Sequence, residues 1–273
     1  MSKQQEIVLV TGASSGIGKA IAEDLAKQDY YVFASARRMD KLEAMRSSNI
    51  EPLQLDVTDP QAIQAAVEHI QSSKGRIDVL VNNAGYGIYG TVEGLTTEQV
   101  RRAFDVNVFG LGQMTQAVIP LMRAQKSGTI INMSSVVGKL STPVLGWYAA
   151  SKHAVEGLTD ALRLEVKPFG IKVVLIEPGS INTGFEDIAM DTLAKSNDPA
   201  AYQDLLEGFS KLIRRGFVSA PGPEAVVKEV NKALSSNRPK ARYAAGRDSK
   251  LFIFAKSLLN DRIVDRVIAG QLK

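Results

Sequence analysis

The sequence contains no cysteine, only two histidines and no long hydrophobic run. The absence of cysteine excludes disulfides and Cys-ligated metal sites, and it fits the reducing cytoplasm, where we expect the protein to act. His69 and His153 lie far apart in the chain with no third ligand implied, so no metal site is expected. No segment approaches the roughly 20 apolar residues that cross a bilayer, so we expect no integral membrane segment.

The chain also lacks a strong excess of either charge. It has 33 basic and 29 acidic residues, which gives a net charge of +4 spread along 273 residues. No stretch concentrates basic residues with interleaved aromatics, so no nucleic-acid partner is expected. The segment 249–270 carries charges at helical spacing and predicts an amphipathic C-terminal helix. We expect this helix to pack on its own domain or on a second subunit. The alternative is that the helix rests on a membrane surface.

Six short runs rich in β-branched residues recur along the chain and are separated by segments with helical periodicity. Two of these segments have clear helix starts, with Asp59 before Pro60 as a cap and Thr96 with Gln99 at capping-box spacing. Such alternation predicts an α/β fold, a single doubly wound (Rossmann-type), mostly parallel sheet with helices on both faces, over residues 1–273. The predicted strands are 7–10, 31–35, 51–57, 77–83, 129–134 and 171–179.

In such sheets, ligands bind beyond the carboxyl ends of the strands. The first strand is followed by TGASSGIGKA, in which three glycines allow a tight turn and let a pyrophosphate approach the amides of the next helix. The spacing is G-x-x-x-G-x-G and differs from the general dinucleotide fingerprint, and Gly and Ser also fill ordinary turns. Its position after the first strand favours a cofactor loop formed by Gly12, Ser14, Ser15, Gly16, Ile17 and Gly18.

The end of the second strand indicates which dinucleotide binds. NAD sites usually carry an acidic residue about 20 positions past the glycines, for the ribose 2′-hydroxyl. Here Ala36 precedes Arg37 and Arg38, whose guanidinium groups suit a 2′-phosphate. The alternative is a solvated basic turn in which Asp40 balances one charge. We therefore expect NADP(H) to be preferred over NAD(H).

Seven short motifs then follow one another in a recognisable order between residues 6 and 183. They are TGASSGIG, LDV, NNAG, VN at 106–107, SS at 134–135, YAASK and PGSINT. This ordered set resembles the short-chain dehydrogenase/reductase family, in its compact branch. The patches NNAGYGIYGTVEG and RRGFVSAPGPEAVVKEV are most similar to members such as 17β-hydroxysteroid and retinol dehydrogenases.

The resemblance implies a catalytic set of Asn107, Ser135, Tyr148 and Lys152. Tyr148 and Lys152 are four apart on a helix, where side chains are neighbours, although any long helix offers such pairs by chance. An ammonium near a phenol of pKa about 10 should lower that pKa and make Tyr148 a usable general acid or base. Ser135 would hold the substrate oxygen, and Lys152 would also contact the nicotinamide ribose. Asn107 would hold a water, or it is an ordinary residue on the long helix 97–125.

Further cofactor contacts are implied in the same way. Asp56, beside Val57, would meet the adenine amino group, or it simply begins a turn. The Pro-Gly pair would orient the nicotinamide carboxamide, although such pairs are common in turns. The implied residues are Asp56, Val57, Asn82, Ala84, Gly85, Pro178, Gly179 and Thr183, together with Tyr148 and Lys152.

The substrate is expected to be a small-molecule carbonyl or alcohol. Residues 184–222 should form a lid rich in apolar side chains, which favours an apolar substrate. The same side chains could instead serve to pack the lid helices. The resemblance also implies a homodimer or homotetramer through the helices 97–125 and 148–167.

These features predict an NADP(H)-dependent oxidoreductase that acts on CH–OH groups. Two alternatives stand beside it: an NADPH-binding redox sensor without turnover, and sugar-nucleotide epimerase or dehydratase chemistry. The latter enzymes typically use a different glycine spacing and a longer chain. The complete catalytic set argues against the sensor.

Overall fold

The computed structural model describes residues 5–272, so positions 1–4 and 273 of the predicted domain lie outside it. Seven strands form one sheet in the order β3-β2-β1-β4-β5-β6-β7, and every neighbouring pair is parallel. The strands are β1 (Ile7–Thr11), β2 (Tyr31–Ala36), β3 (Ile50–Gln54), β4 (Val79–Asn82), β5 (Gly128–Met133), β6 (Ile171–Pro178) and β7 (Arg242–Ala245).

Helices alternate with these strands along the chain. Their bounds are α1 (Gly16–Lys27), α2 (Met39–Glu43), α3 (Pro60–Lys74), α4 (Thr97–Phe104), α5 (Leu111–Gln125), α6 (Gly146–Glu165), α7 (Phe185–Ala194), α8 (Gln203–Val218), α9 (Glu224–Leu234), α10 (Arg247–Leu258) and α11 (Asp261–Gln271). Among residues 5–272, no helix combines the length and apolar character needed to cross a bilayer.

The sheet is buried on both faces because successive side chains of a strand point in opposite directions. In β1, Val8 and Val10 join the core under α1 and α9, whereas Leu9 joins the core under α3 and α5. A strand with two buried faces is mostly apolar, which explains the nearly continuous apolar runs of the sequence. The predicted doubly wound parallel fold is confirmed.

The two predicted helix starts are also present. The Asp59 carboxylate accepts hydrogen bonds from the amides of Gln61 and Ala62 at the start of α3. Thr96 and Gln99 form a reciprocal capping box at the start of α4. These caps satisfy backbone donors that have no partner inside the helix.

The structure differs from the predicted elements in three places. β7 was not among the six predicted strands. The predicted helix 97–125 consists of α4, a π-helical segment (Asp105–Gly110) and α5. The single C-terminal helix predicted at 249–270 is wrong: α10 ends at Leu258, and the Asn260 side chain accepts a hydrogen bond from Ile263 N to cap α11. Asparagine is a strong helix-start residue, and here it restarts the helix rather than continuing it.

Candidate active site

A cavity opens at the carboxyl ends of β1, β4, β5 and β6, next to the point where the strand order reverses between β1 and β4. The structure brings twelve predicted site residues into its wall: Gly12, Ser15, Gly16, Ile17, Ala84, Gly85, Ser135, Tyr148, Lys152, Pro178, Gly179 and Thr183. Eight other predicted residues lie outside the wall: Ser14, Gly18, Arg37, Arg38, Asp56, Val57, Asn82 and Asn107.

The glycine loop packs so closely on the segment after β4 that side chains are excluded. Gly12 has a φ of +69°, and a Cβ on it would lie 2.8 Å from Ala84 Cα. A Cβ on Gly18 would lie 2.4 Å from Asn83 Nδ2 and from the Gly12 carbonyl oxygen. Ser15 is the N-cap of α1. The amino end of α1 therefore faces the cavity, where its backbone N–H groups favour a bound anion.

Asn83, which is not among the predicted site residues, connects the segment after β4 to the glycine loop. Its side chain donates to the carbonyls of Thr11 (3.0 Å) and Gly12 (3.3 Å), and it lines the cavity. Asn82 instead points into the core and donates to Thr115 Oγ1 (3.0 Å) and Asn132 Oδ1 (2.9 Å). Asn82 is the last residue of β4 and its side chain lies in the core, whereas Asn83 follows the strand and lies against the glycine loop.

At the end of β2, Arg38 reaches across to the glycine loop. Its guanidinium donates to the hydroxyls of Ser14 (3.0 Å) and Ser15 (3.1 Å). Asp56 does begin a turn, since its Oδ1 accepts hydrogen bonds from the Thr58 amide (3.0 Å) and hydroxyl (2.8 Å). Partial burial opposes ionisation of Asp56, but the Thr58 hydrogen bonds and the charge of Arg37 lower its pKa.

The neighbour of Asp56, Val57, lies in the core next to the π-helical segment. Its backbone oxygen would lie 2.7 Å from a Cβ on Gly110. Val57 is buried and packs under α3 and α5. It does not line the cavity.

Ser135 and Tyr148 meet inside the cavity. Ser135 caps a short 3₁₀ turn after β5, accepts a hydrogen bond from Val137 N (3.3 Å) and donates to the Pro178 carbonyl (3.4 Å). Burial raises the pKa of Tyr148 above its ordinary value of 10.0, and the nearby Ser135 hydroxyl opposes part of that rise. The predicted net lowering of this pKa is therefore wrong for the protein chain alone. The Lys152 Nζ lies 5.9 Å from the Tyr148 ring centroid, and burial has the larger effect.

Lys152 is held beneath Tyr148 on the same face of α6. Its Nζ donates to the Met133 carbonyl at 2.9 Å, and only 5% of the residue is exposed. Burial lowers the pKa of Lys152 to about 8, and the charge of Glu156, one turn further along α6, opposes that change. The lysine thus titrates within reach of neutral pH.

Asn107 lies in the π-helical segment and is buried. Its side chain accepts from the Tyr86 amide (3.0 Å), donates to the Tyr86 carbonyl (3.1 Å) and donates to Ser151 Oγ (3.2 Å). Its Oδ1 would lie 2.9 Å from a Cβ on Gly85, while Lys152 Nζ would lie 3.8 Å from the same point. Asn107 therefore fixes the loop after β4 next to the lysine, and π-helical segments are often found at functional sites.

The loop after β6 forms the opposite wall. The Gly179 amide donates to the Ala245 carbonyl at 2.9 Å, so β7 holds the Pro178–Gly179 turn in place. Thr183 packs against the glycine loop, since a Cβ on Gly16 would lie 3.3 Å from Thr183 Cβ. The glycine loop and the loop after β6 thus enclose one continuous groove.

Residues 184–222 cover the catalytic end of this groove with α7 and α8. The Phe185 ring lies 5.9 Å from that of Tyr148. Several hydrogen bonds connect the region to the loop after β4. Among them, Tyr89 N donates to Thr192 Oγ1 (2.9 Å), and Thr91 N donates to Asp198 Oδ1 (2.9 Å). The apolar residues that line the cavity on this side are Tyr86, Tyr89, Leu145, Phe185, Ile188, Ile213 and Phe217.

Other apolar residues of the lid serve to pack it. Phe209 is 2% exposed, and its ring meets that of Tyr89 edge-on at 5.4 Å. Met190, Leu193, Leu205 and Leu206 pack in the same cluster. Both interpretations of the apolar lid residues are therefore correct, each for different residues: some line the cavity, and others pack the lid.

The chain matches the family model described as short chain dehydrogenase over residues 6–193. It is 39% identical to a 3-ketodihydrosphingosine reductase of Bacteroides thetaiotaomicron over 263 residues, 96% of both chains. An NADPH-dependent 3-dehydrocapnine reductase of Ornithobacterium rhinotracheale is 36% identical over 274 residues, 97% of this chain and 96% of the relative. Human retinol dehydrogenase 8 is 35% identical over 257 residues, 89% of this chain and 82% of the relative.

The same similarity extends to a solved structure. The crystal structure of a short-chain dehydrogenase from Streptomyces avermitilis matches with a TM-score of 0.83 and 35% identity, over 93% of both chains. The predicted resemblance is confirmed by these relatives.

Proposed function

Because the chain belongs to the short-chain dehydrogenase family, we propose that it is an NADP(H)-dependent oxidoreductase that interconverts a carbonyl and an alcohol. The observation that carries the proposal is the meeting of Ser135, Tyr148 and Lys152 in a cavity shared with the glycine loop. A phenol, a hydroxyl and a buried ammonium are the groups that proton transfer to a carbonyl oxygen needs.

The residues of the groove fit a dinucleotide. Gly12 and Gly18 leave no space for a side chain, which brings the backbone close to the cavity, and the amino end of α1 offers N–H donors to a pyrophosphate. A bound nicotinamide supplies the hydride to the carbonyl carbon in reduction, or accepts it in oxidation. In reduction, Tyr148 donates its proton to the substrate oxygen, which Ser135 holds by a hydrogen bond. The Lys152 ammonium stabilises the phenolate that remains.

The preference for NADP(H) rests on the end of β2. Arg38 already lies against Ser14 and Ser15 of the glycine loop, and Arg37 lies near Asp56. No acidic residue occupies position 36 to bind a 2′-hydroxyl and repel a 2′-phosphate. The NADPH-dependent 3-dehydrocapnine reductase among the relatives supports the same cofactor.

For the substrate, we propose a molecule with a long apolar part next to the reacting carbonyl. The lid contributes Phe185, Ile188 and Phe217 to the cavity wall, which favours burial of hydrocarbon. The relatives named for 3-ketodihydrosphingosine and for retinol act on molecules of this kind. Location in the cytoplasm stays a prediction.

The test is NADPH oxidation by the pure protein with aldehydes, small ketones, steroids, retinal and long-chain keto-amines. Tyr148→Phe should lower turnover by about 10²- to 10⁴-fold while NADPH still binds, because only the proton donor is lost. Tyr243→Phe, on β7 and outside the cavity wall, is the matched control and should keep full activity. Tight NADPH binding without turnover of any substrate would instead support the sensor alternative.

A further inference from the structure

Two glutamates meet behind the catalytic lysine, on the side away from the cavity. Glu156 lies on α6 one turn after Lys152, and Glu177 is the penultimate residue of β6, directly before Pro178. Glu156 is 5% exposed and Glu177 is 2% exposed. Fully buried carboxyl groups are rare unless they are paired, so this pair needs an explanation.

Two cations flank the pair from two other elements. Lys139, in the loop after β5, contacts Glu156 at 2.5 Å and Glu177 at 3.9 Å. Arg242 of β7 lies 3.1 Å from Glu156 Oε2 and 3.3 Å from Glu177 Oε1, and it also contacts Asp160. The charged groups that face the pair among the described residues are therefore Lys139, Arg242, Lys152 and Asp160.

The two carboxyl groups lie against the same two cations and are therefore close to each other. Two buried carboxylates at close range repel each other, which favours a proton on one of them. Burial and the charge of Glu156 raise the pKa of Glu177 to about 7, against the opposing charges of Lys139 and Arg242. The pair thus holds one proton below neutral pH.

Close packing connects the pair to the lysine. A Cβ on Gly138 would lie 2.7 Å from Ser134 Oγ, 3.1 Å from Glu156 Cγ and 3.3 Å from the Lys152 carbonyl oxygen. The loop that carries Lys139 therefore lies directly on α6 between Lys152 and Glu156. The charge of Glu156 acts on Lys152 through this water-poor region, where electrostatic effects are strong.

We propose that Glu156 and Glu177 are positioning residues for Lys152: they share one proton, and the negative charge that Glu156 retains keeps the lysine an ammonium. This inference rests on the proposed function, since it explains how a buried lysine stays charged for the chemistry at Tyr148. Glu156 is the member that acts on Lys152, and Glu177 is the member that holds the shared proton.

The experiment is an NMR titration of the Lys152 ε-carbon in the full-length protein, which needs no substrate. In Glu156→Gln the titration midpoint should fall by about one pH unit, because an adjacent negative charge is lost. Asp160→Asn removes a carboxylate from the same Arg242 but is one turn further from Lys152, so its midpoint should stay at the wild-type value. Glu156→Asp should restore most of the shift.

Activity provides the second measurement. If the proposed function holds, the alkaline limb of the pH profile of kcat should move down in Glu156→Gln by the same amount, with KM for NADPH unchanged. Equal Lys152 midpoints in wild type, Glu156→Gln and Asp160→Asn would overturn the inference. A wild-type protein that turns over no carbonyl would overturn the proposed function alone, because the lysine titration would still decide the role of the glutamates.

Discussion

At the scale of single residues, Arg38 is the side chain that ties the second strand to the glycine loop. Arg38→Ala should weaken NADPH binding by about 10- to 100-fold, because it removes charge-assisted hydrogen bonds that would reach a 2′-phosphate. NADH binding should change by less than about threefold. Fluorescence titration of both dinucleotides measures this difference.

The control for this change is Arg46→Ala. Arg46 pairs with Glu43 at the protein surface, away from the glycine loop. Like Arg38→Ala, Arg46→Ala removes one positive charge, but it changes no residue of the groove. Equal losses of NADPH affinity in both variants would mean that Arg38 acts only through the overall charge of the protein.

Glu177 gives a prediction about stability. Its folded pKa of about 7 lies above its ordinary value of 4.5, so the folded state binds more protons than the unfolded state between these pH values. The stability from this group is therefore present below about pH 4.5 and is lost as the pH rises through about 7. The free energy of unfolding should fall by about 1–3 kcal/mol over this range.

Denaturant unfolding at pH 5 and pH 8 tests this stability change. Glu177→Gln should lose most of the difference between the two pH values, because its side chain does not titrate. Glu51→Gln should keep the wild-type difference, since the pKa of Glu51 is lowered and it is ionised throughout. A pH dependence that is identical in wild type and Glu177→Gln would contradict the raised pKa.

At the scale of elements, the contact between the glycine loop and the segment after β4 determines the shape of the groove. Gly18→Ala places a Cβ 2.4 Å from two neighbouring atoms, so it should destabilise the protein by about 1–3 kcal/mol and weaken NADPH binding. Thermal unfolding with and without NADPH measures both effects.

Gly270→Ala is the matched control for this substitution. Gly270 lies in α11, and a Cβ there would meet nothing within 4 Å. Alanine is favoured over glycine inside a helix, so this variant should be as stable as wild type or slightly more stable. A loss at Gly270 equal to that at Gly18 would show that close packing at the loop is not the cause.

The elements that sequence patterns predict well are those with strong local signals. The caps of α3 and α4, the six apolar strands and the glycine loop each follow from residues close together in the chain. The seventh strand, Arg242–Ala245, has no such signal, because its pairing with β6 depends on contacts that form only in the fold. The break at Asn260 was missed because periodicity alone continues across it.

In the candidate site, too, the sequence predicts features that have a local signal and misses those that depend on the fold. The order of the motifs indicates Ser135, Tyr148 and Lys152, but it does not separate Asn82 from Asn83, since that distinction depends on where β4 ends in the fold. The pKa of Tyr148 depends on burial by the lid, which no spacing in the sequence reveals. Glu177 did leave a signal: it is an acidic residue directly after the apolar run 173–176 of β6.

At the scale of the whole molecule, exposed apolar side chains mark the surface of α6 and of the segments that adjoin α5 and α6. Phe109, Leu158, Leu164 and Phe169 are 56%, 42%, 68% and 36% exposed, and Leu158 lies 3.9 Å from the Cβ position of Gly112 on α5. We propose that this surface joins subunits into a homodimer or homotetramer, as the family resemblance implied. Exposed apolar patches of this kind commonly mark interfaces.

Leu158→Arg should shift the protein toward monomer, because it buries an unpaired charge at the proposed interface. Light scattering coupled to size-exclusion chromatography measures the mass. Val218→Arg, at an apolar residue that is 90% exposed at the end of α8, should leave the mass unchanged. A wild-type protein that runs as a monomer would refute the proposed assembly.

The hydrogen bonds between the lid and the loop after β4 have a consequence for how the substrate preference of this protein can be changed. Tyr89–Thr192 and Thr91–Asp198 connect the lid to the loop after β4, while the proposed proton-transfer residues lie after β5 and on α6. If the proposed function holds, substitutions at Ile188 and Phe217, which line the cavity, should change the preferred molecule. Phe185 differs from them, because its ring lies 5.9 Å from that of Tyr148 and a change there would also reach the phenol. A library in codons 186–222 should therefore explore new substrates while Ser135, Tyr148 and Lys152 are kept.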